Sequence, residues 1–107
     1  MTEAEIKRIV KEQRSFFATG ATLPVEARVQ ALTRLKACIL KRENEINEAV
    51  KKDLGKSAFE TYMCETGLVL SELTYMLKHI YSYTREKTVR TPLAQFHSRS
   101  FKKPSPY

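Results

Sequence analysis

The reading of the fold rests on residues 57–84, SAFETYMCETGLVLSELTYMLKHIYSYT. Phe59, Tyr62, Met63, Thr66, Val69, Leu70, Leu73, Met76, Leu77 and Ile80 recur at intervals of three and four. That is the period of one face of an α-helix. Ser57 and Glu60 form a capping box at its start, the serine hydroxyl and the glutamate each satisfying a backbone N–H the first turn leaves unpaired. Gly67 lies inside the run at a cost of ~1 kcal/mol relative to alanine. It reads either as tolerated by neighbouring contacts or as the site of a close helix crossing. A straight helix from Ser57 to Thr84 would be about 42 Å long. A compact globule of this chain length has a radius of gyration of roughly 13 Å, hence a diameter of roughly 34 Å. Such a helix overhangs its own domain and needs a further surface or a second copy to cover its stripe.

Upstream, three more helical segments follow the same period. Thr2 and Glu5 make a first capping box, with Ile6, Ile9, Val10, Gln13, Phe16 and Phe17 on one face and Gly20 as the stop. Thr22-Leu23-Pro24 opens a second helix with proline in its first turn, where the missing N–H is harmless. Its stripe is Val25, Val29, Leu32, Leu35 and Ile39. The pattern is interrupted at Lys41-Arg42-Glu43-Asn44, where a kink or short turn is expected. It resumes with Ile46, Ala49, Val50 and Leu54 and ends at Gly55. Downstream of Arg85 the period is lost. Thr91-Pro92 marks a break, since the residue before proline avoids the helical region. From Phe96 to Lys103 the text alternates loosely, as an edge strand would, and prolines follow. The chain therefore reads as mostly α, a helical hairpin or open bundle over residues 1–90, with an extended linker or strand over 91–107.

Composition sets the outer limits. The 107 residues allow one domain at most, and 42% hydrophobic content supports a modest core. No apolar run approaches the ~20 residues of a membrane span, and the acidic amphipathic start, Met1-Thr2-Glu3-Ala4-Glu5, is unlike a secretory signal. A cytoplasmic location is expected. The net charge of +7 is unevenly placed. Residues 1–84 hold 13 Lys and Arg against 11 Asp and Glu, whereas residues 85–107 hold Arg85, Lys87, Arg90, Arg99, Lys102 and Lys103 against Glu86 alone. The basic excess lies in the tail, and a charge-rich tail is ordinarily solvated.

Catalytic signatures are absent: no glycine-rich phosphate loop, no GxSxG elbow and no HExxH pair. Cys38 and Cys64 lack metal-site spacing and read as buried thiols that pack like small hydrophobes. His79 sits among Leu77, Ile80 and Tyr81, and His97 lies in the basic tail; neither has a nucleophile or orienting partner in sequence. Tyr62, Tyr75, Tyr81 and Tyr83 read as helix core and rim, and Lys51-Lys52 as an exposed face. No catalytic, cofactor-binding or metal-ligating residue is assigned.

Identity is carried instead by Asp53-Leu54-Gly55-Lys56-Ser57, then Phe59-Glu60-Thr61-Tyr62 and Glu65. With Gln13-Arg14, Phe16-Phe17, Gly20, Arg28, Leu32 and Leu35 before it, this run resembles the N-terminal helical region of NAD(P)-dependent aldehyde dehydrogenases. The resemblance continues through Leu70-Ser71-Glu72-Leu73, Leu77-Lys78-His79 and Thr91-Pro92-Leu93-Ala94-Gln95-Phe96, covering about Gln13 to Tyr107. It is most similar to the shorter branch, which acts on aromatic and fatty aldehydes. The resemblance implies a parent reaction: thiolate attack on the aldehyde, hydride transfer to NAD(P), and hydrolysis of the thioester. It also implies that Ser105-Pro106-Tyr107 leads towards a cofactor domain. The oxyanion-holding asparagine, the glutamate base and the nucleophilic cysteine would all come later, and neither Cys38 nor Cys64 lies on the family's nucleophile motif. The segment Ser98–Lys103 matches in position a strand of a small oligomerisation sheet.

The chain is thus expected to be a truncated fragment of a larger α/β enzyme, a scaffold inactive by itself. It binds no cofactor of its own, though NAD or NADP serves the parent. Its expected partners are the absent cofactor domain and a second copy through the Phe59–Ile80 stripe, with no specific nucleic acid. The competing reading is a stand-alone helical interaction module, weakly binding nucleic acid through the tail. A basic stripe on a helix would mark that second case, and the charge lies elsewhere.

Overall fold

The computed structural model describes residues 1–105; Pro106 and Tyr107, which the reading above placed in the linker, lie outside the described residues. The elements in chain order are α1 (Glu3–Ala18), α2 (Val25–Lys41), α3 (Glu43–Leu54), α4 (Ala58–Thr61), a π-helical turn (Tyr62–Thr66), α5 (Gly67–Thr84), β1 (Lys87–Val89), a 3-10 turn (Leu93–Gln95) and β2 (Ser100–Lys102). The fold is mostly helical with a small two-stranded sheet.

Helix boundaries follow the signals in the sequence. The Glu5 N–H donates to Thr2 Oγ1 at 3.3 Å, and the Thr2 N–H donates to Glu5 Oε2 at 2.6 Å. Ser57 and Glu60 repeat the exchange, at 3.2 Å in each direction. Gly55 closes α3 in the left-handed region at φ 67, where a Cβ would be strained, and its N–H donates to Lys51 O. The interruption after Lys41 is a one-residue turn at Arg42. Pro24 stands immediately before Val25, the first residue of α2, instead of inside its first turn.

Two compact units divide the chain, one comprising Met1–Arg28 with Tyr81–Tyr107 and the other Val29–Ile80. In the first, β1 and β2 pair antiparallel with Lys87 opposite Lys102, Thr88 opposite Phe101 and Val89 opposite Ser100. The strand at 100–102 falls in the segment read as extended, whereas β1 was read as the end of the helical part. In the second, Lys36 Nζ on α2 donates to Thr74 Oγ1 on α5 at 2.9 Å. Among the described residues, only Thr61, Thr66, Leu73 and Ile80 are buried.

Candidate functional site

The helical run from Ala58 to Thr84 concentrates the unusual features of the chain, beginning with its π turn. At this turn the backbone closes after five residues instead of four, and such bulges interrupt α-helices mostly at places where the structure uses them. The Gly67 N–H donates to Tyr62 O across it. A Cβ at position 67 would collide with that same carbonyl oxygen. Glycine is therefore required by the helix's own backbone, and neither a helix crossing nor mere tolerance is needed to explain it.

The π turn also redistributes the apolar stripe. Thr66, Leu73 and Ile80 are buried at seven-residue spacing, as two α-helical turns demand, with Leu70 and Leu77 half-buried beside them. An uninterrupted α-helix would extend that row back to Met63, Tyr62 and Phe59. The extra residue brings Thr61 onto the face instead. Thr61 is fully buried, while Phe59, Tyr62 and Met63 are exposed. Thr66 Oγ1 donates to Thr61 O at 3.4 Å, and Thr61 Oγ1 has no hydrogen-bond partner among the described residues. Outside the turn, Lys56 Nζ bonds Glu65 Oε1 at 2.6 Å and ties the α3–α4 junction to it. The Glu65 carboxylate, by accepting this bond, holds the Lys56 ammonium above the ordinary lysine range, against a smaller opposing effect of burial.

On another side of α5, Leu68, Val69 and Met76 are exposed and line, with Leu73 and Glu72, a wholly apolar depression of about 350 Å³. A second, open groove of about 650 Å³ runs between Lys36 on α2 and Tyr62, Gly67, Thr74, Tyr75 and His79. In the first unit, Ile9, Val10, Phe16 and Phe17 of α1 line a groove of about 760 Å³ with Arg14 and Thr22.

His79 Nδ1 bonds the Tyr75 carbonyl of its own helix at 2.8 Å, and the two rings stack at 4.1 Å. His97 is exposed against Phe96, with ring centroids 3.9 Å apart. Cys38 and Cys64 are both free and exposed, contrary to the expectation of burial. Cys64 lies on the side of the helix away from the buried row of Thr66, Leu73 and Ile80, and Cys38 lies beside the half-buried Ile39. Lys51 and Lys52 are exposed at the end of α3, as are Tyr75, Tyr81 and Tyr83 on α5. Among the described residues, no cluster of three or more His, Cys, Asp or Glu could hold a metal ion, and no helix is long and apolar enough to cross a membrane.

The family model for aldehyde dehydrogenases matches residues 1–105. The chain belongs to the aldehyde dehydrogenase family. It is 34% identical over 96 residues to the 4,4'-diaponeurosporen-aldehyde dehydrogenase of Staphylococcus aureus, a match covering 90% of this chain and 21% of the relative. The dimeric NADP-preferring aldehyde dehydrogenase of Canis lupus familiaris is 31% identical over 93 residues, covering 86% of this chain and 20% of that one. Family 3 member A2 of Pongo abelii is 30% identical over 104 residues, which agrees with the resemblance to the shorter branch. A solved structure, the substrate-bound state of Staphylococcus aureus AldH, superposes with a TM-score of 0.84 at 33% identity, over 92% of this chain and 21% of that one. The chain thus spans about one-fifth of the length of these aldehyde dehydrogenases and shares the fold of that part.

Proposed function

We propose that this chain is the helical N-terminal scaffold of an enzyme that oxidises aldehydes to carboxylic acids with NAD or NADP in the cytoplasm, and that it contributes support rather than chemistry. The observation that carries this reading is the superposition of nearly the whole chain on one-fifth of a complete aldehyde dehydrogenase. The match of the aldehyde dehydrogenase family model to residues 1–105 supports it as well. The exposed apolar faces of α1 and α5 are what a scaffold presents to a domain packed on it. Purified chain incubated with NAD or NADP and benzaldehyde is expected to produce no reduced nicotinamide above the blank. Turnover abolished by Cys38→Ser or Cys64→Ser would overturn the reading.

The same reading assigns the outward part of α5 a partner in the isolated chain. Leu68, Val69 and Met76, exposed around an apolar depression, pair with the same surface of a second copy. Each large side chain so covered contributes on the order of 1.5–3 kcal/mol. Sedimentation at micromolar concentration is expected to show a dimer or larger species, reduced to monomer by Met76→Asp. Leu73 is unsuited to that test, because it is buried within the chain and its replacement would perturb the fold itself.

A further inference from the structure

Two sets of residues in the second unit favour different registers for the helical run that begins at Ala58. Gly67 and Thr61 fit the π turn. A Cβ at position 67 would meet the Tyr62 carbonyl, and Thr61 is fully buried on the row that Thr66, Leu73 and Ile80 continue. Met63, Tyr62 and Phe59 fit an unbroken α-helix, in which they precede Thr66 by three, four and seven residues and so share its face. The π register also buries the Thr61 hydroxyl without a hydrogen-bond partner among the described residues. That is a cost which the α register removes, by turning Thr61 away from the row. Disagreement of this kind within one segment leaves two arrangements close in free energy.

Conversion requires the turns before Gly67 to rotate by one residue, about 100°. The chain has a place to absorb that rotation. Gly55, Lys56 and Ser57 separate α3 from α4, and Gly55 lies in the left-handed region at φ 67, with nothing within 4 Å of where a Cβ would stand. A contact spans this hinge and the turn: Lys56 Nζ bonds Glu65 Oε1 at 2.6 Å, and rotation of the turn carries Glu65 away from Lys56. We propose that the π turn is a two-register switch latched by the Lys56–Glu65 contact. With the contact made, the Gly67 N–H donates to Tyr62 O and Thr61 faces the row. With it broken, the same N–H donates to Met63 O, and Met63, Tyr62 and Phe59 take the row. The register thereby sets which side of Ala58–Glu65 meets the rest of the Val29–Ile80 unit.

The test is nuclear magnetic resonance of the 107-residue chain, using the scalar coupling that crosses a hydrogen bond. The Gly67 nitrogen couples to the carbonyl carbon of Tyr62 in the π register and of Met63 in the α register. The parent chain is expected to show the Tyr62 coupling, with the α register as a minor form in exchange on the microsecond-to-millisecond scale, seen by relaxation dispersion at Gly67. Lys56→Met should raise the minor population about five-fold, the upper range for a partly exposed ion pair, whereas Lys56→Arg should leave it near the parent value. Adding Gly67→Ala, worth about a further five-fold in an α-helix, should make the Met63 coupling the major one. Thr61→Val, which removes the unpaired hydroxyl and keeps the branched shape, should lower the minor population in the Lys56→Met background. Dispersion in Lys56→Met unchanged from the parent would overturn the proposal. So would a Lys56→Met, Gly67→Ala chain in which residue 67 still couples to Tyr62, or in which the helix is lost without any coupling to Met63.

Discussion

The helical run 58–84 and the hairpin 87–102 are separated by two residues, yet different physics holds each. The helical run is fixed by its backbone: a capping box at one end, a π turn that needs glycine, and a buried row of Thr61, Thr66, Leu73 and Ile80. The hairpin has none of these. It rests on three cross-strand pairs, one of them lysine against lysine, and on Glu86 tethering two cations. A region with a buried row can lose exposed side chains cheaply but not buried ones. A region held by surface charge should behave in the reverse way, gaining stability when a repelling charge is changed. The two regions thus set opposite expectations for substitutions of similar kind.

The largest contrast lies within the helical run. Leu73→Ala is expected to destabilise by about 2–5 kcal/mol, the range for truncating a buried leucine. Leu68→Ala, five residues earlier and exposed, should change stability by less than about 0.5 kcal/mol. Urea unfolding of the two variants side by side measures the difference. Equal effects would mean that the buried row is not what stabilises this run.

Gly67→Ala comes next. In a regular helix interior the change would gain about 1 kcal/mol. Here the new methyl meets the Tyr62 carbonyl, and backbone must shift to admit it, which costs about 1–3 kcal/mol. The collision is expected to win, so the variant should melt lower than the parent chain. A rise in melting temperature would show that the π turn relaxes to α register at little cost, and Thr61 would then be expected to leave the buried face.

What was legible in the sequence divides along the same line. Ser57 with Glu60 and Thr2 with Glu5 announce their helices because capping is a contact between residues three apart, visible without tertiary structure. Gly20 and Gly55 announce the ends for the same local reason. The π turn was not legible. A 3.6-residue period fits Tyr62, Met63 and Thr66 equally well in either register, and only the position of the carbonyl beneath Gly67 separates them. The exposure of Phe59, Tyr62 and Met63, all read as one stripe with Leu73, follows from that hidden insertion. Cys64 was misjudged for another reason: it was read as buried although the apolar stripe runs along the opposite face of the helix. β1 was missed because Lys87-Thr88-Val89 is too short to alternate, and its partner lies across a loop. The tail's charge was legible, but its pairing of Lys87 with Lys102 needed the register. The family was legible because the order of many weak pieces survives even where each is ambiguous.

A smaller effect of opposite sign is expected in the hairpin. Lys102→Glu converts the Lys87–Lys102 pair from repulsive to attractive, and cross-strand pairs of this kind differ by about 0.2–1 kcal/mol. The hairpin should therefore become more ordered, seen as slower exchange of the Thr88 and Phe101 amides. Faster exchange of those amides would show that Lys102 supports the strand pairing, and the two regions would no longer differ as described.

The smallest effects should come from pH, through one group in each of two helical segments. Lys56 binds its proton more tightly in the folded chain, chiefly through its hydrogen bond to Glu65. Its contribution is therefore complete below the ordinary lysine pKa and is lost as pH rises through the higher folded value. Glu5 is shifted the other way. The Thr2 backbone N–H, and then the Thr2 hydroxyl, favour its ionised form and lower its pKa. Its contribution is present above the ordinary glutamate pKa and is lost as pH falls through the lowered value. Both groups are solvent-accessible, so the changes should be local fraying and not global unfolding. Amide exchange followed residue by residue should show the first turn of α1 loosening in acid and the Ala58–Thr66 segment loosening in alkali. Glu5→Gln should remove the acid response alone, and Lys56→Gln the alkaline response alone. If Lys56→Gln leaves the alkaline loosening intact, the Lys56–Glu65 contact does not brace the π turn, and the stability of that turn rests on Gly67 and the buried threonines.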